Sequence, residues 1–384
     1  MSMTGADRVC TRCIMDTSDP DITFDADGIC NYCRLAERVL PTVHWTSEGS
    51  ERALADIARK IRNAGIGRAY DCVIGLSGGV DSSYTALLAH RLGLRPLAVH
   101  FDNGWNSELA VENIQHVVDG CGFDLQTYVI DWREFRDLQR AFLLASVVDI
   151  EMLTDHAISA ATIGVARRSG VRYLLSGENL ATEHGLPLAW VWYKRDWTNI
   201  KAIHDAYGTV PLRTFPHLST TRWRTMQILG RGVESVPLLN LVNYRRDEAA
   251  ETLKREFGWR EYGGKHHESV FTKFYQGAIL PRKFGIDKRR AHLSDRIRNG
   301  EVTRDEALQI VARPLYEPEE ARAESEFVRR KLGFDEAEWD AIMSAPPRSH
   351  RSFASDRRFA APFTLALRAG RRIQGLVSQR LSRP

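Results

Sequence analysis

The stretch that constrains this chain most is Tyr70–Leu92, YDCVIGLSGGVDSSYTALLAHRL. An apolar run, Cys72–Leu76, leads into Ser77-Gly78-Gly79-Val80-Asp81-Ser82, and Val80, Tyr84, Leu87 and Leu88 then recur at helical spacing. The pattern predicts a buried strand, a tight glycine turn and a helix start. Two adjacent glycines let the backbone curl so that several N–H groups face one point. The helix N-terminus adds partial positive charge there, which suits a phosphate. Ser77 and Ser82 offer hydroxyls, and Asp81 offers a carboxylate for magnesium beside the phosphates. The competing reading is an ordinary βα turn. The strand before, the helix after and the flanking polar groups together weigh against it.

The Walker spacing G-x-x-x-x-G-K-[ST] is absent, and no lysine follows these glycines. The run SGGVDS instead resembles the PP-loop of the ATP pyrophosphatases, the superfamily of GMP synthetase, asparagine synthetase and NAD synthetase. That resemblance implies ATP cut between its α and β phosphates, transfer of AMP to a carbonyl-type oxygen, and a loop that cradles the departing pyrophosphate.

The chain has 384 residues, enough for two or three units with ample core. It is 43% hydrophobic and 27% charged, a globular balance, and its net charge of +4 is too small to argue for nucleic acid. The opening MSMTGADRVC lacks an apolar signal region, and no 18-residue apolar run occurs. A cytoplasmic location is expected, where thiols stay reduced.

Cys10, Cys13, Cys30 and Cys33 form two C-x2-C knuckles separated by sixteen residues. Each knuckle can turn two thiolates toward one point, and two of them complete a tetrahedral zinc site. With all four positions filled by protein, the zinc is expected to be structural. Asp19-Pro20 and Asp25-Ala26-Asp27-Gly28 supply turns between the knuckles.

Beyond the loop, Arg95–Phe101 and Leu125–Ile130 read as strands and Arg172–Leu175 as a fourth, alternating with helical stretches such as Glu108–Asp119. This predicts an α/β chain with a doubly wound parallel sheet of the PP-loop ATP pyrophosphatase type. An N-terminal zinc ribbon and a mainly helical C-terminal region complete it. The boundaries read as ribbon 1–45, nucleotide domain 46–242, helical substrate-side region 243–345 and basic tail 346–384. Ligands in such sheets sit beyond the carboxyl ends of strands. Asp102-Asn103 and Ser176-Gly177-Glu178-Asn179 lie at two such ends. Together with Ser77, Gly78, Gly79, Asp81 and Ser82, the residues Asp102, Gly177, Glu178 and Asn179 are the candidate contacts for ATP and magnesium. For Asp102 and Asn103 a plain turn competes with an adenosine contact. For Glu178, Asn179 and Glu183 a solvated acidic loop competes with a magnesium or AMP site.

Trp190–Trp197, WVWYKRDW, either grips a nucleotide or sugar or forms an amphipathic surface helix that buries its tryptophans. The helix is the preferred reading. Tyr262–Ala291 crowds Lys265, His266, His267, Glu268, Lys273, Lys283, Lys288, Arg289 and Arg290 into one segment. Its bases are expected to neutralise substrate or phosphate charge, with Lys265 and Lys283 the catalytic candidates beside Asp81.

CTRCIMDTSDPDITFDADGICNYC, SGGVDSS, SGENLATEHG and GGKHHES…FTKFYQG…LPRKFGIDKRRAHLS together resemble the N-acetyl sugar amidotransferases of bacterial O-antigen and surface-polysaccharide biosynthesis, over roughly residues 8–350. The resemblance implies ATP-driven conversion of an acetamido group on a nucleotide-linked sugar to an acetamidino group. Ammonia would come from a separate glutaminase with a cyclase-like subunit. Ser2 stands where an N-terminal-nucleophile glutaminase needs cysteine, and Cys72 and Cys121 lack a nucleophile-elbow setting. Two other classes compete with it, a PP-loop RNA-thiolating enzyme and a non-enzymatic zinc-ribbon adaptor. From Pro346 to Pro384 nine arginines face one acid, Asp356. The tail reads as a solvated end, a partner-docking segment, or a helix lying peripherally on the inner membrane.

Overall fold

The computed structural model describes residues 8–230, 232–262 and 267–356. Its centre is a sheet of β1 Cys72–Gly75, β2 Pro96–Asp102, β3 Asp124–Val129, β4 Tyr173–Ser176 and β5 Glu234–Pro237, in the order β3-β2-β1-β4-β5. All neighbours pair parallel, with Cys72 opposite both Pro96 and Tyr173. The expected parallel, doubly wound sheet is borne out, each predicted strand lying within one residue of its place.

Strand alternation divides the core. Cys72 and Ile74 join Leu87, Ala98, Ile114, Val117 and Leu253 on one face. Val73 joins Leu97, Val99, Val165 and Ala166 on the other. Helices Val80–Arg91, Glu108–Cys121 and Arg246–Phe257 pack together over the first face, and Met152–Arg168 covers β1, β2 and β4 on the second. Because Met152–Arg168 leads into the start of parallel strand β4, it runs against the strands. Its N-terminus therefore stands at their carboxyl edge. Asn103, just past β2, confirms the placement by donating to Thr154 Oγ1 at 3.4 Å.

The C-terminal region is helical, as expected: Val270–Phe274 runs on into a π-helical stretch, Tyr275–Phe284, followed by Lys288–Arg298, Arg304–Ala312, Pro318–Leu332 and Glu336–Ser344. The cysteine ribbon docks on this region. Ile14 packs with Leu293 and Ala307, its N–H donates to Ser294 Oγ at 3.2 Å, and Arg290 pairs with Asp16 at 3.0 Å.

Two expectations are corrected here. Trp190–Trp197 is not a helix: a short 3-10 turn, Leu188–Trp190, gives way to irregular chain with a turn at Lys194-Arg195, and the helix begins at Trp197. Trp190 and Trp192 are nonetheless buried, and Lys194 is held between Asp149 at 2.8 Å and Asp155 at 2.9 Å. The start of the basic tail is also built into the fold. Arg348 N–H donates to Ser146 O at 2.8 Å, and Asn199 Nδ2 donates to His350 O and Ala354 O at 2.9 and 3.2 Å. The tail's remaining residues, 357–384, lie outside the described residues. Among the described residues no helix is long and apolar enough to cross a membrane.

Candidate functional site

The glycine turn sits where the sheet order reverses, between β1 and β4, the place where open α/β sheets bind ligands. Gly78 has φ +83°, and a Cβ there would stand 2.7 Å from the Ala110 carbonyl and 2.8 Å from the Tyr262 hydroxyl. Both conformation and crowding require glycine. The Gly78 carbonyl accepts from Trp259 Nε1 and from Tyr262 Oη, each at 2.8 Å, and Asn113 Nδ2 braces that hydroxyl at 2.9 Å. Holding this carbonyl fixes the direction of the peptide groups around it. Gly79 starts helix Val80–Arg91 without a side-chain cap, so the helix keeps the anion-binding character of its first turn. The Ser77 and Ser82 hydroxyls lie 3.2 Å apart across the turn.

The end of β4 abuts this loop. A Cβ on Gly177 would lie 3.1 Å from both the carbonyl carbon of Asp81 and the nitrogen of Ser82, so glycine allows the two backbones to touch. Asn179 caps the short helix Leu180–Glu183: its Oδ1 accepts from Thr182 N–H at 2.8 Å and Thr182 Oγ1 at 3.0 Å. Its Nδ2 is buried with no hydrogen-bond partner among the described residues. A buried orphan donor at the end of β4, which abuts the glycine turn, fits an oxygen-rich ligand. Arg195 lies 4.3 Å over the Trp223 ring, and the opposing pull of Tyr193 and Glu178 only partly offsets the lowering of its pKa by burial.

Asp81 accepts a hydrogen bond from the hydroxyl of Tyr244. Burial, reinforced by the Asp81 charge, pushes the Tyr244 pKa well above its ordinary value, so the phenol remains a donor. Asp102 and Asn103 act as turn-makers: Asp102 Oδ1 accepts from Gly104 N–H at 2.8 Å and Asn103 Oδ1 from Trp105 N–H at 3.1 Å.

The basic segment does something other than expected. Lys283 donates to the carbonyls of Ile342 and Ala345, capping helix Glu336–Ser344, and the phosphate loop is not among its partners. Lys273 pairs with Glu320 and Glu324, Lys288 with Glu151, Arg289 with Asp287 and Arg290 with Asp16. These cations neutralise the fold's own carboxylates. Lys265 and His266 lie outside the described residues. One pair stays at the carboxyl-edge rim: Glu151, preceding helix Met152–Arg168, accepts from Lys288 at 2.8 Å and from Gln276 at 3.1 and 3.2 Å.

The four cysteines gather as predicted, every Sγ within 4.8 Å of the others and all fully buried. The Cys10–Cys33 and Cys13–Cys30 sulfur separations are 3.9 and 3.7 Å, close to the roughly 3.8 Å of a tetrahedron with zinc–sulfur bonds near 2.3 Å. Backbone N–H groups of Arg12, Cys13 and Cys30 point at Cys10 Sγ at 3.3–3.4 Å, and Arg298 reaches Cys13 Sγ at 3.2 Å. A donor shell of this kind stabilises thiolates, so the set fits structural zinc.

Residues 268–367 match the family described as LPS biosynthesis protein WbpG-like, C-terminal domain. The carboxy-terminal segment is similar to that family. It begins at Glu268, whose carboxylate would meet a Cβ on Gly79 at 3.1 Å and whose carbonyl accepts from Ser107 N–H at 2.9 Å. The matching segment thus starts against the glycine turn itself. A curated relative, the glutamine-hydrolysing GMP synthase of Haemophilus ducreyi, is 38% identical over 88 residues, 22% of this chain and only 16% of that enzyme's length. Among solved structures, NMN synthetase from Francisella tularensis is similar with a TM-score of 0.30 and 14% identity, covering 59% of this chain and 91% of that one. NAD+ synthetase from Burkholderia pseudomallei gives a TM-score of 0.29 and 20% identity, covering 62% and 96%.

Sequence reading missed Tyr244, Trp259, Tyr262 and Asn113. Each acts on the loop from far along the chain, and their identities follow no local pattern that would single them out.

Proposed function

We propose that this protein is an ATP-dependent amidotransferase of lipopolysaccharide biosynthesis. It converts an acetamido group of a nucleotide-linked N-acetyl sugar to an acetamidino group and releases AMP and pyrophosphate. The observation that carries the reading is the junction at Glu268, where a WbpG-like segment begins against Gly79 of the phosphate loop. An amide carbonyl is a poor electrophile with a poor leaving group. Attack of its oxygen on the α-phosphorus breaks the α–β bond, frees pyrophosphate and leaves an O-adenylated imidate. Ammonia then adds to the imidate carbon, AMP departs with the oxygen, and loss of a proton from nitrogen leaves the amidine.

Ser77–Ser82 would hold the departing pyrophosphate, and Asp81, oriented by Tyr244, would hold magnesium, which offsets phosphate charge. The Asn179 Nδ2 donor would meet an oxygen of the nucleotide. Glu151, Gln276 and Lys288 would form the acceptor wall, presenting acceptor and donor groups to a sugar. Catalysis here is positioning with charge stabilisation.

All six cysteines are buried, four in the metal cluster, and Cys72 and Cys121 within apolar core. Burial pushes both core thiols above their ordinary range. Neither suits sulfur transfer or glutamine hydrolysis, which favours the amidotransferase over the RNA-thiolating reading. On this reading a separate glutaminase with a cyclase-like subunit would supply the ammonia, and the reaction would take place in the cytoplasm. The test is incubation with ATP, magnesium, ammonium and an N-acetylated nucleotide sugar. AMP, pyrophosphate and an amidine product are expected; ADP and phosphate, or turnover on transfer RNA instead, would refute the reading. The chain alone should use high ammonium but not glutamine until the partner is added.

A further inference from the structure

A line of buried polar groups joins the cysteine cluster to the loop after β4. Arg298 donates through Nη2 to Cys13 Sγ at 3.2 Å and through Nε to Cys33 Sγ at 3.4 Å. Its Nη1 donates to Asp295 Oδ1 at 2.6 Å. The other Asp295 oxygen accepts the Gly185 N–H at 3.1 Å, and His184 Nε2 packs 3.3 Å from Oδ1 without a hydrogen bond among the described residues. His184 closes the line by donating from Nδ1 to the Leu180 carbonyl at 2.8 Å. These three side chains are 0–2% exposed. A Cβ on Gly185 would fall 2.4 Å from Arg298 Nη1 and 2.5 Å from Asp295 Oδ1, so the loop is fitted against the pair without slack.

A guanidinium this buried is stable only with its charge matched. Four thiolates on one zinc carry a net charge of −2, which the Arg298 cation faces on one side while Asp295 takes it on the other. The planar fork lets one side chain hold sulfur and carboxylate at once, which a lysine point charge does less well. The far end of the line holds residues 180–185, directly following Gly177, Glu178 and Asn179 against the phosphate loop.

We infer that the four-cysteine metal centre sets the position of the Gly177–Gly185 loop through Arg298, Asp295 and His184, three positioning residues for the nucleotide site. The loop's role in handling nucleotide rests on the reading given above. The coupling itself does not. A ribbon otherwise assigned to folding alone therefore reports its metal occupancy to the site.

The test is hydrogen–deuterium exchange and zinc content on the full chain, with ATP kinetics alongside. His184→Ala lies three contacts from the thiolates, with Asp295 and Arg298 between, and should keep about one zinc per chain. Exchange at amides 178–185 should rise about tenfold, with the ATP KM up several-fold and kcat changed less. Arg298→Met should produce the same local exposure, and Arg298→Lys should restore part of the protection. Chelating zinc from the wild type should expose the same segment, and chelation of His184→Ala should add little there. Unchanged exchange at 178–185 in His184→Ala, or a rise spread evenly over the chain, would overturn the inference. Exchange needs no sugar substrate, so intact coupling without AMP formation would refute the reaction and leave the relay standing.

Discussion

The Tyr244 hydroxyl donates to the carboxylate of Asp81 across 163 positions of chain. That bond ties the first turn of the phosphate-loop helix to the segment that follows β5, and it aims the acid proposed to hold magnesium.

Two substitutions separate aim from charge. Asp81→Asn should preserve the fold and lower pyrophosphate release by a hundredfold or more, because the metal-binding charge is gone. Tyr244→Phe removes one hydrogen bond, an effect of about 1 kcal/mol, so activity should fall roughly three- to tenfold. The magnesium concentration for half-maximal rate should rise with it. Tyr244→Phe with unchanged magnesium dependence would count against the aiming role.

Lys283 should behave as a structural residue. Lys283→Ala strips a donor from the Ile342 and Ala345 carbonyls and should cost about 1–3 kcal/mol of stability. Its kcat/KM should stay near the wild-type value below the melting range. A loss of turnover without a change in melting would return Lys283 to the catalytic set.

How much of this was legible in the sequence depends on range. Gly78, Gly79 and the helix after them declare themselves because strand, turn and helix are contiguous, and the C-x2-C pairs because both knuckles are local. Lys283 is not placed by its neighbourhood, because a lysine in a basic run looks alike whether it meets phosphate or caps a helix. Its partners arrive some sixty residues later, separations of 59 and 62. Trp190 and Trp192 were correctly read as buried, but their backbone was not. Trp192 N–H is taken by Asp149 at 2.6 Å, a tertiary bond that replaces a helical one. The Arg298 contact with Cys13, 285 positions away, leaves no trace in either neighbourhood.

Stability should fall between pH 7 and pH 5. His350 donates from Nδ1 to Asn199 Oδ1 at 2.7 Å and accepts the Asp149 N–H on Nε2 at 3.3 Å. Burial pushes its pKa down to about 4, Lys194 reinforcing and Asp149 and Asp196 opposing, and burial does the same to His156. Each folded-state value lies below the unfolded one near 6.5, so the unfolded chain binds more protons in between. The stabilisation is whole above that value and is lost as pH falls toward 4, about 2 kcal/mol per histidine by pH 5. Asp356, raised to about 6 chiefly by burial, has the opposite sign and regains part of the loss. Thermal midpoints at the two pH values should differ in the wild type, and by markedly less in His350→Asn. Equal drops would refute the assignment.

Where the tail is cut should matter. Ser355 Oγ and Asp356 N–H both donate to the buried Asp196 carboxylate. Ending the chain at Asp356 should leave the fold and activity on soluble substrate intact and reduce any binding to anionic vesicles. Ending it at Arg351 should lower the melting temperature by several degrees. Equal vesicle binding by full-length and Asp356-terminated protein would dismiss the membrane role.

The Gly78 carbonyl takes both its hydrogen bonds from Trp259 and Tyr262, beyond the last strand of the sheet that carries it. A ribosome that has released all five strands has therefore not yet released the anchors of the phosphate loop. The proposed nucleotide site would have to wait for them in the nascent chain. For the same reason a fragment ended at residue 242 would lack the donors that shape the loop, and recombination at that boundary would not carry the loop geometry intact into another protein.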